Sequence, residues 1–221
     1  MDIETLGARL DSFDTQQQEY LLKFAETDRE RVEAVQKLSL YPLTAQIIVI
    51  GMLNPDTNRA KILFQAGEEA RKEFYSEDEL TQFVSGNERT IIEEFWQDIL
   101  HYKQAITFNG RGFDAPFLLL RSAALNILPT KNLMPYRYDA SSHCDLLEQF
   151  TFYGAVRKFN LDFYCKAFGI ESPKVHGITG LDLGKLFDEK KYQEIAEYNL
   201  GDLRATAELF RRWEPTLKLQ S

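Results

Sequence analysis

The sequence has little cysteine and lacks a long apolar run. Its two cysteines, Cys144 and Cys165, form neither a disulfide framework nor a metal-ligand motif. The longest uncharged apolar stretch, residues 45–53, is far shorter than the ~18 residues that a membrane span needs. The first residues, Met1–Glu4, have no basic flank and no apolar core, so we expect no signal peptide and a cytoplasmic protein with no membrane partner.

Basic residues are also scarce, but their distribution is uneven. The chain of 221 residues has 26 Lys and Arg against 34 Asp and Glu, a net charge of −8. Residues 1–102 contain ten basic and twenty acidic residues, whereas residues 103–174 contain nine basic and six acidic ones. This balance argues against tight non-specific binding to a nucleic-acid duplex. It still allows a site that holds a phosphate chain through metal ions.

Hydrophobic patterning predicts one α/β domain over residues 1–221, because no repeat, low-complexity tract or linker divides the chain. The β-branched run at 47–53 is typical of a strand buried on both faces, and residues 60–65 follow it after a turn as a paired strand. Apolar periodicity predicts helices near residues 14–38, 91–100, 113–126, 147–156, 160–169 and 189–212, with a short strand at 104–108. The order of elements indicates a mixed sheet with helices on its faces.

Four acidic positions fall where chemistry could use them. Asp2 and Glu4 are two residues apart, so in a strand their side chains share one face. Asp114 lies at the start of a predicted helix, and Asp202 follows Tyr198 by one helical turn. Each feature has an ordinary alternative, such as a solvated surface acid or a core tyrosine. Carboxylates brought together from separate elements need cations between them, and Mg²⁺ and Mn²⁺ prefer such oxygen ligands.

The order and context of these residues resemble the DEDD superfamily of 3′–5′ exonucleases. Within that superfamily the sequence looks like the stand-alone bacterial proteins similar to the proofreading domain of family B DNA polymerases. The motif Asp-x-Glu is present at residues 2–4, Asn-x-x-x-Phe-Asp at residues 109–114, and Tyr-x-x-x-Asp at residues 198–202. The resemblance covers essentially the whole chain. It implies a ribonuclease-H-like mixed five-stranded sheet flanked by helices, with an antiparallel meander first and parallel strands after it.

The resemblance also implies a set of roles. Asp2, Glu4 and Asp202 would hold one of two divalent cations, Mg²⁺ or Mn²⁺, and Asp114 would act on the second mainly through water. Tyr198 would orient or help deprotonate the attacking water, which is the tyrosine subclass. Asn109 and Phe113 would shape the pocket for the terminal nucleotide of single-stranded DNA or RNA, Asn109 by hydrogen bonding and Phe113 by stacking or wedging. The backbone near Glu4 or Leu6 would bond the terminal 3′-hydroxyl and set the direction of degradation.

One departure from the family's pattern concerns the first strand. Relatives have several apolar residues before Asp-x-Glu, whereas only Met1 precedes Asp2 here. Either the given start lies too late in the chain or the first strand is truncated. The sequence also leaves open a catalytically silent ribonuclease-H-like module that binds nucleic acid or a protein. The preference for DNA or RNA, the choice between Mg²⁺ and Mn²⁺, the pathway, any protein partner and the oligomeric state are not determined by the sequence.

Overall fold

The computed structural model describes residues 1–67, 71–172, 180 and 182–218. Within these ranges the strands are β1 (Asp2–Gly7), β2 (Ala45–Leu53), β3 (Ala60–Gln65), β4 (Glu73–Tyr75), β5 (Thr81–Gly86), β6 (Ala105–Thr107) and β7 (His143–Asp145). The α-helices are α1 (Thr15–Leu21), α2 (Asp28–Gln36), α3 (Glu88–Asp98), α4 (Asp114–Ala124), α5 (Leu146–Phe150), α6 (Leu161–Phe168), α7 (Leu183–Asp188) and α8 (Tyr192–Thr216).

The central sheet has five strands in the order β1-β2-β3-β5-β4. Strands β1, β2 and β3 form an antiparallel meander, while β5 pairs with β3 in parallel and β4 returns antiparallel along β5. Strands β6 and β7 form a separate parallel pair. The predicted fold class, a mixed five-stranded sheet flanked by helices, is thereby confirmed.

Several predicted elements agree with the structure, and others differ from it. The strands predicted at 47–53 and 60–65 correspond to β2 and β3. Strands β4 and β5 and helix α7 were not predicted, because they are short or lack a clear apolar period. The helix predicted over 147–156 is wrong beyond Phe150, since Phe152 and Tyr153 both adopt positive φ angles that an α-helix cannot contain.

Helices cover both faces of the sheet because its strands are apolar on both sides. Helices α3 and α4 pack on one face, in a cluster that includes Ile47, Ile50 and Phe95. Helices α7 and α8 pack on the other, in a cluster that includes Val49 and Leu203. The second half of α8 continues over β6 and β7. Helix α8 therefore spans both strand systems, and it brings its middle turns over the start of β1.

Over the parts of the chain described, no helix is both long enough and apolar enough to cross a bilayer.

Candidate active site

Strand β1 carries the first two acidic side chains of the site. Asp2 pairs with Gly51 and Glu4 with Val49 in the antiparallel ladder with β2, and the register shifts between Glu4 and Thr5. Ile3 points into the core on the α3 and α4 side. Because side chains alternate along a strand, Asp2 and Glu4 both point to the opposite face, beneath α8. A shift of register of this kind is common beside functional sites, where it redirects side chains.

Helix α8 supplies the third carboxylate. One carboxylate oxygen from each of Asp2, Glu4 and Asp202 lies within 4.8 Å of the others. We refer to these three residues as the carboxylate cluster. Their spacing is typical of ligands that share a cation, and the structure thus brings together residues almost 200 positions apart in the sequence.

The carboxylate cluster lies in a poor environment for negative charge. Burial raises the pKa of Asp2 well above its ordinary value, and the charges of Asp114, Glu4 and Asp202 raise it further. Burial also raises the pKa of Glu4, followed by repulsion from Asp202, and the Asn199 hydrogen bond opposes both. Like charges and burial both disfavour ionised carboxylates. A cation would relieve both effects at once.

Asn199 is a member of the site that the sequence analysis missed. It is fully buried, with 0% of its surface exposed. Its amide nitrogen Nδ2 donates to Asp2 Oδ2 at 2.7 Å and reaches Glu4 Oε1 at 3.5 Å. Its own Oδ1 is buried without a hydrogen-bond partner in the described structure. The amide is a neutral donor placed between two acidic side chains.

Gly51 makes room for Asn199. A Cβ atom at position 51 would lie only 2.0 Å from Asn199 Oδ1 and 2.5 Å from a methyl group of Leu203. Any side chain on this residue of β2 would therefore push α8 away from the sheet. A glycine within a β-branched strand often marks such a close approach, and this was the signal available in the sequence.

Tyr198 lies beside the carboxylate cluster and is half-buried. Its phenol lies close to Asp202, because one turn of helix separates the two residues. Burial raises the pKa of the phenol, and the charges of Asp202, Glu4 and Asp2 raise it further. The hydroxyl is therefore held neutral, which suits it to orient a water molecule by hydrogen bonding.

Asp114 lies outside the carboxylate cluster but contacts the same strand. It is 3% exposed at the first residue of α4, and its Oδ1 accepts the backbone N–H of Ile3 at 3.0 Å. Burial raises the pKa of Asp114 to about 7, against the opposing effect of the amino-terminal ammonium and backbone hydrogen bonds. Asp114 thus fixes the backbone between Asp2 and Glu4.

Two of the three residues expected to bind a terminal nucleotide, Phe113 and Leu6, line neighbouring cavities beside β1. A cavity of about 510 Å³ opens beside Glu4 and is lined by Phe113, Lys37 and Leu183, and Leu6 lines a neighbouring cavity of about 490 Å³. Asn109 is exposed and adopts a φ of 65°, which asparagine tolerates better than most residues. It begins the turn that leads to Phe113.

Asp145 holds that turn in place. It is 2% exposed, and its Oδ1 accepts the backbone N–H of Asn109 at 2.9 Å while its Oδ2 accepts that of Arg111 at 2.9 Å. The same carboxylate caps α5 by accepting the N–H groups of Leu147 and Glu148. Asp145 is therefore a structural acid that positions the loop before Asp114.

Two further polar side chains, His143 and Arg121, have structural partners. His143 is buried, with Nδ1 on the carbonyl of Leu133 and Nε2 on the hydroxyl of Thr107, each at 2.8 Å. Arg121 forms a bidentate pair with Glu88. Neither residue is available to contact a substrate.

The sequence of this chain matches a known protein family. Residues 68–217 match a protein family described as "Predicted 3'-5' exonuclease related to the exonuclease domain of PolB". The match covers more than half of the chain and includes Asp114, Tyr198 and Asp202. The chain belongs to this family. The resemblance inferred from the three motifs is thereby confirmed, and membership in this exonuclease family indicates a nuclease.

Curated relatives of this PolB-type exonuclease-like chain are archaeal DNA polymerases. DNA polymerase 1 of Sulfurisphaera ohwakuensis is 29% identical over 171 residues, covering 71% of this chain and 18% of the polymerase. DNA polymerase 1 of Sulfolobus acidocaldarius is 23% identical over 176 residues, covering 76% of this chain and 20% of the polymerase. The chain thus spans no more than a fifth of the length of these relatives.

Proposed function

We propose that this protein is a metal-dependent 3′–5′ exonuclease. It would hydrolyse the last phosphodiester bond at the 3′ end of single-stranded DNA or RNA and release nucleoside 5′-monophosphates. The observation that carries the proposal is the convergence of Asp2, Glu4 and Asp202 to within 4.8 Å, beside the Tyr198 hydroxyl, in a chain of this family.

The donor set fits two divalent cations, Mg²⁺ or Mn²⁺. Its oxygen ligands are hard, and within the described residues Asp2 and Glu4 are satisfied only by the single amide of Asn199. Asp2, Glu4 and Asp202 would hold one cation, and Asp114 would act on the second through water. A cation bound there supplies Lewis acidity and offsets the negative charge that develops on the phosphate.

The protein's own residues would place the reactants. The Tyr198 hydroxyl would orient a water molecule toward the terminal phosphorus. Phe113 would stack on the terminal base, Asn109 would hydrogen-bond near it, and the backbone near Leu6 would bond the terminal 3′-hydroxyl, which sets the direction of degradation. The water oxygen adds to phosphorus and the P–O3′ bond breaks. The shortened strand then retains a 3′-hydroxyl, and the released nucleotide retains the phosphate.

A degradation assay tests this function. Single-stranded DNA and RNA oligomers labelled at the 5′ end would be incubated with Mg²⁺, Mn²⁺ or EDTA. Wild type, Asp114→Ala and Glu197→Ala would be purified side by side to exclude contaminating nucleases. Glu197 is the matched control, because it is an exposed acid on α8 bound only by Gln193 within the described chain.

The expected result is a metal-dependent ladder that shortens from the 3′ end in wild type and Glu197→Ala and is absent in Asp114→Ala. The ladder also reveals the preferred sugar. Equal activity in Asp114→Ala would overturn the assignment of the site. A complete lack of hydrolysis with every metal would favour the silent binding module instead.

A further inference from the structure

A group of four aromatic side chains, three of them exposed and one half-buried, lies on the surface near the turn that precedes Asp114. We call Tyr136, Tyr138, Phe152 and Tyr153 the tyrosine surface. Tyr136 is 74%, Tyr138 57% and Phe152 55% exposed. The rings of Tyr136 and Tyr138 meet edge to face at 5.6 Å, and those of Tyr138 and Tyr153 at 4.6 Å. Large aromatic residues this exposed and this close together are typical of a binding surface.

Three cations lie close in sequence to residues of the tyrosine surface. Arg137 lies between the two tyrosines in sequence, and Arg157 and Lys158 follow Tyr153 closely. Arg157 lies over the ring of Phe159 at 5.0 Å, and neither Arg157 nor Lys158 forms an ion pair with another described residue. They are exposed and free to meet a phosphate.

The acids near the surface are already engaged. Glu148 pairs with Arg137 at 2.8 Å and with Arg111 at 3.5 Å. Asp139 accepts hydrogen bonds from the hydroxyls of Ser141 and Ser142. Asp145 is buried on backbone donors. The charged groups near the tyrosine surface that remain available to a ligand are therefore positive.

The tyrosine surface is joined directly to the loop that leads into the active site. The Arg111 guanidinium donates to the carbonyl of Pro135, the residue before Tyr136, and lies against Glu148. Arg111 itself lies between Asn109 and Phe113, on the turn that Asp145 holds. A strand whose last nucleotide rests on Phe113 would thus leave the site beside Tyr136.

A second exposed aromatic group differs from the tyrosine surface in charge. Tyr20, Phe24 and Tyr41 are 77%, 86% and 53% exposed. Residues 11–33, which carry two of these rings, contain seven acidic and three basic residues. A phosphate backbone would be repelled there. Exposure alone is therefore common to both groups, and only the tyrosine surface combines it with available cations.

We propose that the tyrosine surface binds single-stranded nucleic acid, namely the nucleotides that precede the one being removed. The bases would stack on Tyr136 and Tyr138, and phosphates would contact Arg157 and Lys158. Stacking on aromatic rings is tolerant of sequence, since every base has a π-face. This inference rests on the proposed exonuclease function for the direction of the strand, but the binding itself can be measured without hydrolysis.

Binding would be measured by fluorescence anisotropy of a labelled thymidine oligomer in EDTA, which prevents cleavage. The double variant Tyr136→Ala/Tyr138→Ala should raise the Kd by about tenfold or more. Tyr136→Phe/Tyr138→Phe should restore binding, because it keeps both stacking faces. Tyr20→Ala/Tyr41→Ala is the matched control and should bind as wild type does. Arg157→Gln/Lys158→Gln should weaken binding and reduce its dependence on salt.

Hydrolysis provides the second measurement. With a long oligomer the tyrosine-to-alanine variant should show a KM about tenfold higher and an unchanged kcat. With a dinucleotide the increase in KM should be smaller, since a dinucleotide offers the surface only one base. An unchanged Kd and KM, or an equal loss in Tyr20→Ala/Tyr41→Ala, would overturn the inference. If wild type hydrolyses nothing, the proposed function fails, whereas the anisotropy experiment still decides the binding surface.

Discussion

The buried Asp145 and the partly buried carboxylate cluster differ in what their carboxylates are bonded to. Asp145 accepts four backbone N–H groups, two from the turn before Asp114 and two from the first turn of α5. In the carboxylate cluster, Asp2 and Glu4 face each other and Asp202, and among the described residues only the amide of Asn199 donates to them. The Asp145 carboxylate is stabilised entirely by backbone donors. Asp2 and Glu4 retain oxygen lone pairs that accept from no other described donor.

The difference teaches how to distinguish a structural acid from a ligand. A buried carboxylate with several hydrogen-bond donors is stabilised without any further group. Buried carboxylates that point at one another are destabilised unless a cation or a proton lies between them. Both sets would look alike in the sequence, where each is an acid beside an apolar segment. The bonding partners, rather than the burial, separate them.

The largest effect on activity is expected from a change at Asp202. Asp202→Asn removes one cluster charge and one hard ligand, so hydrolysis should fall by about a thousandfold or more, equivalent to ~4 kcal/mol of transition-state stabilisation. Without metal the variant should be as stable as wild type or more stable, because repulsion within the cluster decreases. Initial rates on a labelled oligomer and thermal unfolding in EDTA test the two halves. Full activity, or a collapse of stability in EDTA, would contradict the assignment.

The opposite pattern is expected at Asp145. Asp145→Ala leaves four backbone donors without their acceptor, and the free energy of unfolding should fall by about 3 kcal/mol. Activity should fall as well, because the turn before Asp114 loses its anchor. Denaturant unfolding measures the effect. Asp139→Ala is the control, since among the described residues the carboxylate of this half-buried acid accepts only from the neighbouring Ser141 and Ser142, and its loss should cost about 1 kcal/mol or less.

A smaller effect should follow from removing the amide beside the cluster. Asn199→Ala deletes the donor that orients Asp2 and Glu4, so the affinity for Mn²⁺ should fall by roughly tenfold, as is common for residues that position metal ligands. Calorimetric titration measures the affinity directly. Gly51→Ala sharpens the test from the sheet side, because its Cβ would displace the same amide and should weaken Mn²⁺ binding similarly. Unchanged affinity in both variants would show that Asn199 only fills space.

The smallest effect is expected at Tyr198. Tyr198→Phe removes a hydroxyl that would position water and no cation ligand, so kcat should decrease by roughly ten- to a hundredfold. Mn²⁺ affinity should remain that of wild type. A loss of Mn²⁺ binding as large as that of Asp202→Asn would show that Tyr198 belongs among the ligands.

Much of the fold could be predicted from local patterns. The β-branched run at residues 47–53 predicted β2, and the apolar stripe from Ile91 to Leu100 predicted most of α3. Strands β4 and β5 could not be predicted, because their identity as strands depends on pairing with each other and with β3. The helix predicted beyond Phe150 was wrong for a different reason. Phe152 and Tyr153 adopt left-handed conformations that prevent α5 from continuing, and no glycine at the C-cap marks this end in the sequence.

The acidic residues of the candidate site could be predicted from the sequence. The residues that position those acids could not. Spacing and family resemblance pointed to Asp2, Glu4, Asp114 and Asp202, and the structure places three of them in one cluster with the fourth on the backbone between the first two. Asn199 was missed because its role depends on a sequence-distant glycine. The fourfold bonding of Asp145 was missed because it joins a turn and a helix that come together only through the pairing of β6 and β7.

The most direct test of the account is thermal unfolding with increasing Mn²⁺ for wild type, Asp202→Asn and Asp145→Asn. In wild type, Mn²⁺ at about a hundred times its Kd should add ~2.7 kcal/mol and raise the Tm by roughly 5–10 °C. Asp145→Asn should start from a lower Tm and show the same increase, whereas Asp202→Asn should show little. No increase in wild type, or the full increase in Asp202→Asn, would contradict the claim that Asp2, Glu4 and Asp202 are brought together to bind a cation.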